Sequence, residues 1–287
     1  MKLNIQWQVG NQCNFRCDYC HRNFYDGSSP FLTFEEFNQA FINLEQSIDN
    51  YQLVEIEFLG GEVTISDTIK NHIADSTNKK FCYKLTTNGS ASLDWWKLAI
   101  PNLSSVNLAY HPSADIEHFK NVIALLQDKN IPIDLIVNAH NEQDRWDKAV
   151  HIYEQYKDLI PTTFKALFAN YQKGNDKFLD YSTEQWDYYL KENNITVDPA
   201  PVEVQIHQVE STLYNNYKGH LCYAGVNQVV IDYYGYVYRG WCFSNGGFGN
   251  LFEKPIQLLT TARVCTKEIC KNGFDLQAKK SDQSWGL

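Results

Sequence analysis

Three cysteines fall close together near the amino end, in the run Cys13-Asn14-Phe15-Arg16-Cys17-Asp18-Tyr19-Cys20. The C-x3-C-x2-C spacing closes a loop tight enough to aim three thiols at one point. It follows a short segment, residues 3–9, whose apolar residues alternate. Structural zinc is normally closed by four protein ligands. A cubane iron–sulfur cluster held by three thiolates instead leaves one iron free for another ligand. The alternatives at this level are a disulfide, a zinc knuckle completed by a fourth ligand such as His21, and haem attachment, because C-x2-C-H also reads that way.

The rest of the chain says what such a loop is mounted on. Apolar and aromatic content of 44% and 14% over 287 residues is ample for a packed core, which sets disorder aside. A formal charge of −9 lacks the basic footprint of a sequence-independent nucleic-acid binder, so no nucleic-acid partner is expected. There is no run of 18 or more apolar residues and no charged-then-apolar export signal, so neither a membrane span nor secretion is expected. Eight cysteines in such a chain read as metal or redox ligands in a reducing cytoplasm.

Short β-type runs alternate with helical periodicity through the first two-thirds, the signal for βα units around a parallel sheet. We expect strands at residues 3–9, 54–59, 81–86, 105–110, 133–137 and 163–168. Helices are expected at 34–48, 66–74, 93–99, 116–129, 143–156 and 183–192. The first helix carries a capping box, Thr33 with Glu36, and an apolar stripe of Phe34, Phe37, Phe41, Leu44 and Ile48 read as core. Six such units predict a partial (β/α)6 TIM-type barrel over residues 1–200, with reactive groups at the C-terminal strand ends, where the cysteine loop falls. Lys173-Gly174-Asn175-Asp176 is a break, and Val197-Asp198-Pro199-Ala200-Pro201-Val202 a connector to a smaller unit at 201–287. That unit holds a hairpin pattern from Val229 to Tyr238 and a tail, from Lys279, that reads as frayed and solvated. Cys82, between Phe81 and Tyr83, reads as a core residue.

The cysteine run, with an aromatic, Tyr19, before its last member, resembles the signature of the radical S-adenosylmethionine (SAM) superfamily. The second strand ends in Gly60-Gly61-Glu62, where two glycines would let a ligand approach backbone and the carboxylate offers an acceptor for an ammonium. This resembles the superfamily's Gly-Gly-Glu motif, which receives the SAM amino group. The resemblance extends to Thr87 and Asn88 at the third strand end, and to Asn107 and Asn138 at stations that contact the ribose or the SAM carboxylate. Ser104 and Ser105 compete with Asn107, since strand residues alternate between faces. His111 follows the fourth strand, where either a proton-transfer role or an ordinary loop hydrogen bond is open.

Cys222, Cys242, Cys265 and Cys270, with Gly235 on the hairpin, resemble the C-terminal extension called SPASM or twitch. Its shorter form carries one auxiliary cluster. The spacings depart from the family's at Gly235 to Cys242 and at Cys265 to Cys270, and His207 and His220 are alternative ligands. The resemblance implies two [4Fe–4S] clusters: one on Cys13, Cys17 and Cys20 that binds and reductively cleaves SAM to a 5′-deoxyadenosyl radical, and an auxiliary one expected at the barrel mouth. It implies hydrogen abstraction from a substrate, most naturally a ribosomally made peptide that is oxidised or cross-linked, and a reducing partner such as flavodoxin or ferredoxin. A small-molecule dehydrogenase, for example of an amino sugar, and a non-catalytic metal-stabilised binding module are the other readings. Because the first strand starts at residue 3, recognition of a precursor peptide is expected to rest on the barrel and C-terminal segment or on a separate partner.

Overall fold

The computed structural model describes residues 1–20, 25–169, 178–195, 216–268, 270 and 272–284. His21, His207, the 173–176 break and the 197–202 connector lie outside them.

Strands β1 (Lys2–Gln8), β2 (Leu53–Leu59), β3 (Phe81–Thr87), β4 (Leu103–Tyr110), β5 (Ile133–Ala139) and β6 (Thr162–Ala166) lie side by side in chain order, all parallel. Helices α1 (Phe34–Ser47), α2 (Asp67–Asp75), α3 (Leu93–Ala99), α4 (Ile116–Asp128) and α5 (Gln143–Tyr156) connect them, and α6 (Thr183–Glu192) follows β6. This is the expected partial TIM-type barrel, with ends within two residues of the expected ones. The α1 capping box is present on both sides, Thr33 accepting from Glu36 N and Glu36 accepting from Thr33 N.

Alternation sorts the strand residues into two layers. Leu3, Ile5, Trp7, Ile56, Phe58, Tyr83, Leu85, Val106 and Leu108 are buried against the helices, with Trp7 stacked on Phe37 of α1 at 5.3 Å. The apolar layer holds the sheet, since each such side chain removed from water contributes ~1.5–3 kcal/mol. The alternate residues face the concave side, and many are polar. Gln6 donates to Glu57 at 2.7 Å, and Glu57 also accepts from Thr86 at 2.7 Å and Asn107 at 2.8 Å. Cys82 belongs to this alternate set, half-buried, and not to the core where it was expected, because its neighbours Phe81 and Tyr83 take the helix side. Phe34 also departs from expectation: in the first turn of α1 it is 64% exposed, whereas Phe37, Phe41, Leu44 and Ile48 are buried.

Beyond α6 the chain returns to the same sheet. After β7 (His220–Cys222), β8 (Gln228–Ile231) pairs parallel to β1, with Gln6 opposite Val230, and β9 (Tyr236–Tyr238) and β10 (Gly247–Asn250) follow antiparallel. The expected hairpin is thus β8–β9, joined onto the barrel's open edge. A second sheet has β7 between β11 (Arg263–Val264) and β12 (Lys280–Ser284), and α7 (Gly273–Gln277) precedes β12. Over Lys280–Ser284 the tail is therefore a paired strand, not a frayed end. Lys280 donates to Leu276 O at 3.2 Å and lies over the Tyr217 ring at 4.8 Å.

This topology separates the cysteine groups. The front loop leaves the C-terminal end of β1. β9 runs down past Gln6, and the chain leaving it carries Trp241, whose indole donates to Gln6 Oε1 at 2.7 Å. Cys242 and Cys222 therefore sit toward the N-terminal end of β1, opposite the mouth. The expectation that the back cysteines cap the mouth is corrected by the parallel β1–β8 pairing.

Candidate functional site

A cavity of about 310 Å3 opens at the C-terminal strand ends. Of the residues singled out from sequence, Cys13, Cys17, Tyr19, Cys20, Gly60, Gly61, Glu62, Thr87, Asn88, His111 and Asn138 line it together. Asn107 does not: it lies lower on β4, with its amide on Glu57 and on Thr86 Oγ1 at 3.1 Å.

The two glycines line the cavity and also have a reason within the fold itself. A Cβ on Gly60 would meet Gly10 O at 2.2 Å, and one on Gly61 would meet Gln12 O at 2.0 Å. They are small so that the chain leading into the cysteines can lie against the β2 exit. There Gly61 N donates to Gly10 O at 3.1 Å and Glu62 N to Gln12 O at 2.8 Å. The cysteine loop is thereby fixed to the glutamate.

Glu62 is 1% exposed. Its Oε1 accepts from Thr64 N at 3.0 Å, Thr64 Oγ1 at 2.7 Å and Thr87 Oγ1 at 2.7 Å, and its Oε2 from Asn88 N at 2.6 Å. Burial pushes its carboxyl up, against hydrogen bonds that favour the ionised form. Among the described residues no cationic side chain pairs with it. A buried carboxylate on a cavity wall, held by neutral donors only, fits a ligand that brings a positive charge. Asn88 also donates to Asn14 at 2.9 Å, and Asn14 to Ser90 at 2.8 Å, tying the β3 exit to the cysteine loop.

Burial pushes the thiols of Cys13, Cys17 and Cys20 up, that of Cys20 to about 11. Three thiols sharing so little compensating charge fit a metal group that draws off their protons. Tyr19 lies with its hydroxyl 2.6 Å from His111 Nδ1, and Cys17 Sγ is 3.6 Å from the same nitrogen. Burial lowers the His111 imidazole to about 4, so the ring is neutral, and its Nδ1 shares a hydrogen bond with the Tyr19 hydroxyl. Asn138 donates to Tyr110 O at 3.0 Å.

Other contacts carry no sequence signal. Asp18 meets Arg145 at 3.0 Å and His140 at 3.4 Å, and Arg145 meets Glu142 at 3.1 Å. Asp18, His140 and Glu142 form a trio of ligand atoms within 4.8 Å of one another, but the Arg145 guanidinium already supplies their positive partner, so they anchor the loop to the start of α5. Neither cysteine group is drawn that tight among the described residues. Lys165, from β6, brings a cation to the cavity near Cys20.

At the other end of β1, burial pushes the thiols of Cys242 and Cys270 up, that of Cys270 to about 11, and the nearness of Cys222 and Cys265 to Cys242, and of Cys222 and Cys242 to Cys270, adds to it. Asp275 of α7 organises the spot, accepting from Trp241 N at 3.0 Å and Cys242 N at 2.8 Å. Gly240 lets it approach, since a Cβ there would meet Asp275 Oδ1 at 2.4 Å. Reading by spacing missed Asp275. His220 is engaged with Ser281 O at 2.8 Å.

No family model matches the chain. It is 24% identical over 217 residues to "Radical SAM cyclopropyl synthase TigE" of Paramaledivibacter caminithermalis, and 25% identical over 114 residues to "S-adenosylmethionine-dependent nucleotide dehydratase" of Flammeovirga pacifica. These matches cover 68% and 36% of the chain, and only 38% and 39% of the two relatives. Among solved structures, native anSMEcpe with bound AdoMet and Kp18Cys peptide superposes with a TM-score of 0.51 at 17% identity, over 88% of this chain and 78% of that one. Streptococcus suis SuiB does so with a TM-score of 0.50 at 13% identity, over 88% and 64%. Cysteine loop, partial barrel and added C-terminal strands coincide with these likenesses: the chain is similar in sequence to a radical SAM and a SAM-dependent enzyme, and shares the fold of anSMEcpe and SuiB.

Proposed function

We propose that the chain is a radical SAM enzyme that modifies a ribosomally made peptide by a net oxidation or cross-link. The observation that carries the cofactor reading is the shared cavity wall: three half-buried thiols beside a buried glutamate that no cation among the described residues pairs with. A [4Fe–4S] cluster with bound SAM would supply one-electron cleavage to methionine and a 5′-deoxyadenosyl radical. Cys13, Cys17 and Cys20 would hold three irons. Glu62, kept in place by Thr64, Thr87 and Asn88, would receive the SAM ammonium. Gly60 and Gly61 bring the loop and the glutamate together. Tyr19 packs beside the thiols and, through His111, fixes the loop to β4, while Asn138 and Asn88 offer polar contacts along the rim. His111, which lines the cavity beside Tyr19, would be the candidate for proton transfer with substrate.

The four back cysteines would hold an auxiliary [4Fe–4S] cluster with Asp275 fixing the Cys242 backbone. The concave face then lies between two redox groups, an arrangement that suits removal of an electron from a substrate radical. Flavodoxin or ferredoxin would be the reductant. The peptide reading is supported by the peptide bound in anSMEcpe. The dehydratase likeness favours a small-molecule substrate as the second reading.

The test is anaerobic incubation of the reconstituted protein with dithionite and SAM. Release of methionine and 5′-deoxyadenosine by wild type, and its loss in a Cys17→Ala variant, is the expected result. No cleavage by wild type would support a metal-stabilised binding module. Adding candidate peptides or small molecules then separates the substrate classes by which one raises the rate of 5′-deoxyadenosine formation.

A further inference from the structure

The C-terminal extension encloses a second cavity, of about 500 Å3, that the reading above leaves without a role. Its walls include two arginines, Arg239 and Arg263, and neither aspartate nor glutamate. In a chain with a formal charge of −9, such a pocket runs against the overall balance.

Arg239 is the informative side chain. It is 4% exposed and forms no salt bridge with any described carboxylate. Its Nε donates to Ala224 O at 2.9 Å, and its Nη2 to Cys222 O at 3.2 Å and Arg263 O at 3.5 Å. Its Nη1 is buried without an acceptor. A desolvated guanidinium that is charged, fixed on one edge by carbonyls and left with a free donor is unfavourable unless an anion completes it. The second guanidinium, on Arg263, is exposed at the same cavity. Thr266 adds a hydroxyl, shared with Ser244 Oγ at 2.7 Å. The space beside Gly246 is open, since a Cβ there would meet nothing within 4 Å. Two planar donor forks with no competing carboxylate match the geometry of an oxyanion.

We propose that this cavity is a binding site for a small oxyanion, a phosphate or a carboxylate, held between Arg239 and Arg263. It stands apart from the front cavity, so it does not depend on SAM cleavage. The experiment is isothermal titration of inorganic phosphate and, separately, of malonate into the reconstituted full chain, with ionic strength held constant by chloride. Saturable binding of at least one anion is expected, and the tighter of the two distinguishes a phosphate-type from a carboxylate-type ligand. Arg263→Gln, at an exposed position, should weaken it about tenfold. Arg239→Lys should weaken it further, and should the latter variant not fold, Thr266→Val supplies the second variant. The same binding in a Cys13→Ala variant, which cannot support the front cluster, separates this site from the radical chemistry. No heat beyond the chloride control, or binding that Arg263→Gln leaves unchanged, overturns the proposal. So does the outcome in which neither anion binds and Arg239→Lys only shifts the potential of a cluster on the back cysteines.

Discussion

Replacing Gly61 by alanine tests why the two glycines are there. The new Cβ would lie 2.0 Å from Gln12 O and 2.5 Å from Gln12 C, more than an ångström short of ordinary contact. Both atoms are backbone, so no side chain can turn away. The segment ahead of the cysteines must retreat, which breaks Glu62 N to Gln12 O (2.8 Å) and Gly61 N to Gly10 O (3.1 Å). Two such bonds contribute about 1 kcal/mol each, and overpacking adds ~1–3 kcal/mol, so the loss should be roughly 3–5 kcal/mol. Against the ~5–15 kcal/mol of an ordinary domain, that is a severe loss. The assay is urea unfolding of the metal-free protein by circular dichroism, with iron uptake read on the same preparations. Gly273→Ala is the control: it opens α7, where a Cβ meets nothing within 4 Å, and should change stability by less than ~1 kcal/mol. A Gly61→Ala loss under ~1 kcal/mol, or an equal loss in the control, would refute the close-approach argument.

Three further outcomes are expected. Glu62→Gln keeps the shape but removes the charge and turns one acceptor into a donor facing N–H or O–H groups, so SAM affinity, measured by equilibrium dialysis, should fall tenfold or more, about the loss expected for a charge-assisted pair. The His72 imidazole sits among Phe37, Phe41 and Phe58, with its Nε2 2.9 Å from the Tyr83 hydroxyl, and burial lowers it to about 4 from 6.5. Its folded pKa is depressed, so the unfolded chain binds the proton first: stability is intact above pH 6.5 and is lost as the pH falls from 6.5 toward 4. The loss is at most about 3 kcal/mol, and His72→Phe should flatten that slope in urea midpoints taken across the range. Asp275→Asn places an amide N–H2 against the Trp241 or Cys242 N–H, costing ~1–3 kcal/mol; its second-site iron should fall while iron on the front cysteines stays.

Much of the fold was legible because period-two strands and period-3.6 helices sort apolar residues so cleanly here. Phe37, Phe41 and Leu44 on α1 and Ile5 and Trp7 on β1 read directly as one buried interface. The periodicity misleads at an element's end, as at Phe34, and within a strand whose two faces both lie inside the fold, as at Cys82. The front loop and Glu62 were legible because their residues are close in sequence. Asn107 has the right residue type on the right strand, but it sits lower than Thr87 and Asn88 and meets Glu57 instead. Asp18 with Arg145, and Asp275 with Cys242, join positions far apart in the chain, and no periodicity signals such pairs. The place of the back cysteines was misjudged for the same reason: only the pairing of β8 with β1 puts them at the opposite end from the mouth.

The claim at the centre is that the chain carries two iron–sulfur groups, one on three thiols and one on four. Anaerobic iron and sulfide quantitation on wild type and on the Cys13/Cys17/Cys20→Ala triple variant measures it most directly. The account predicts about eight irons with matching sulfide in wild type, falling to about four in the variant. Four falling to none would remove the second group, and a colourless wild-type protein carrying zinc would contradict the account altogether.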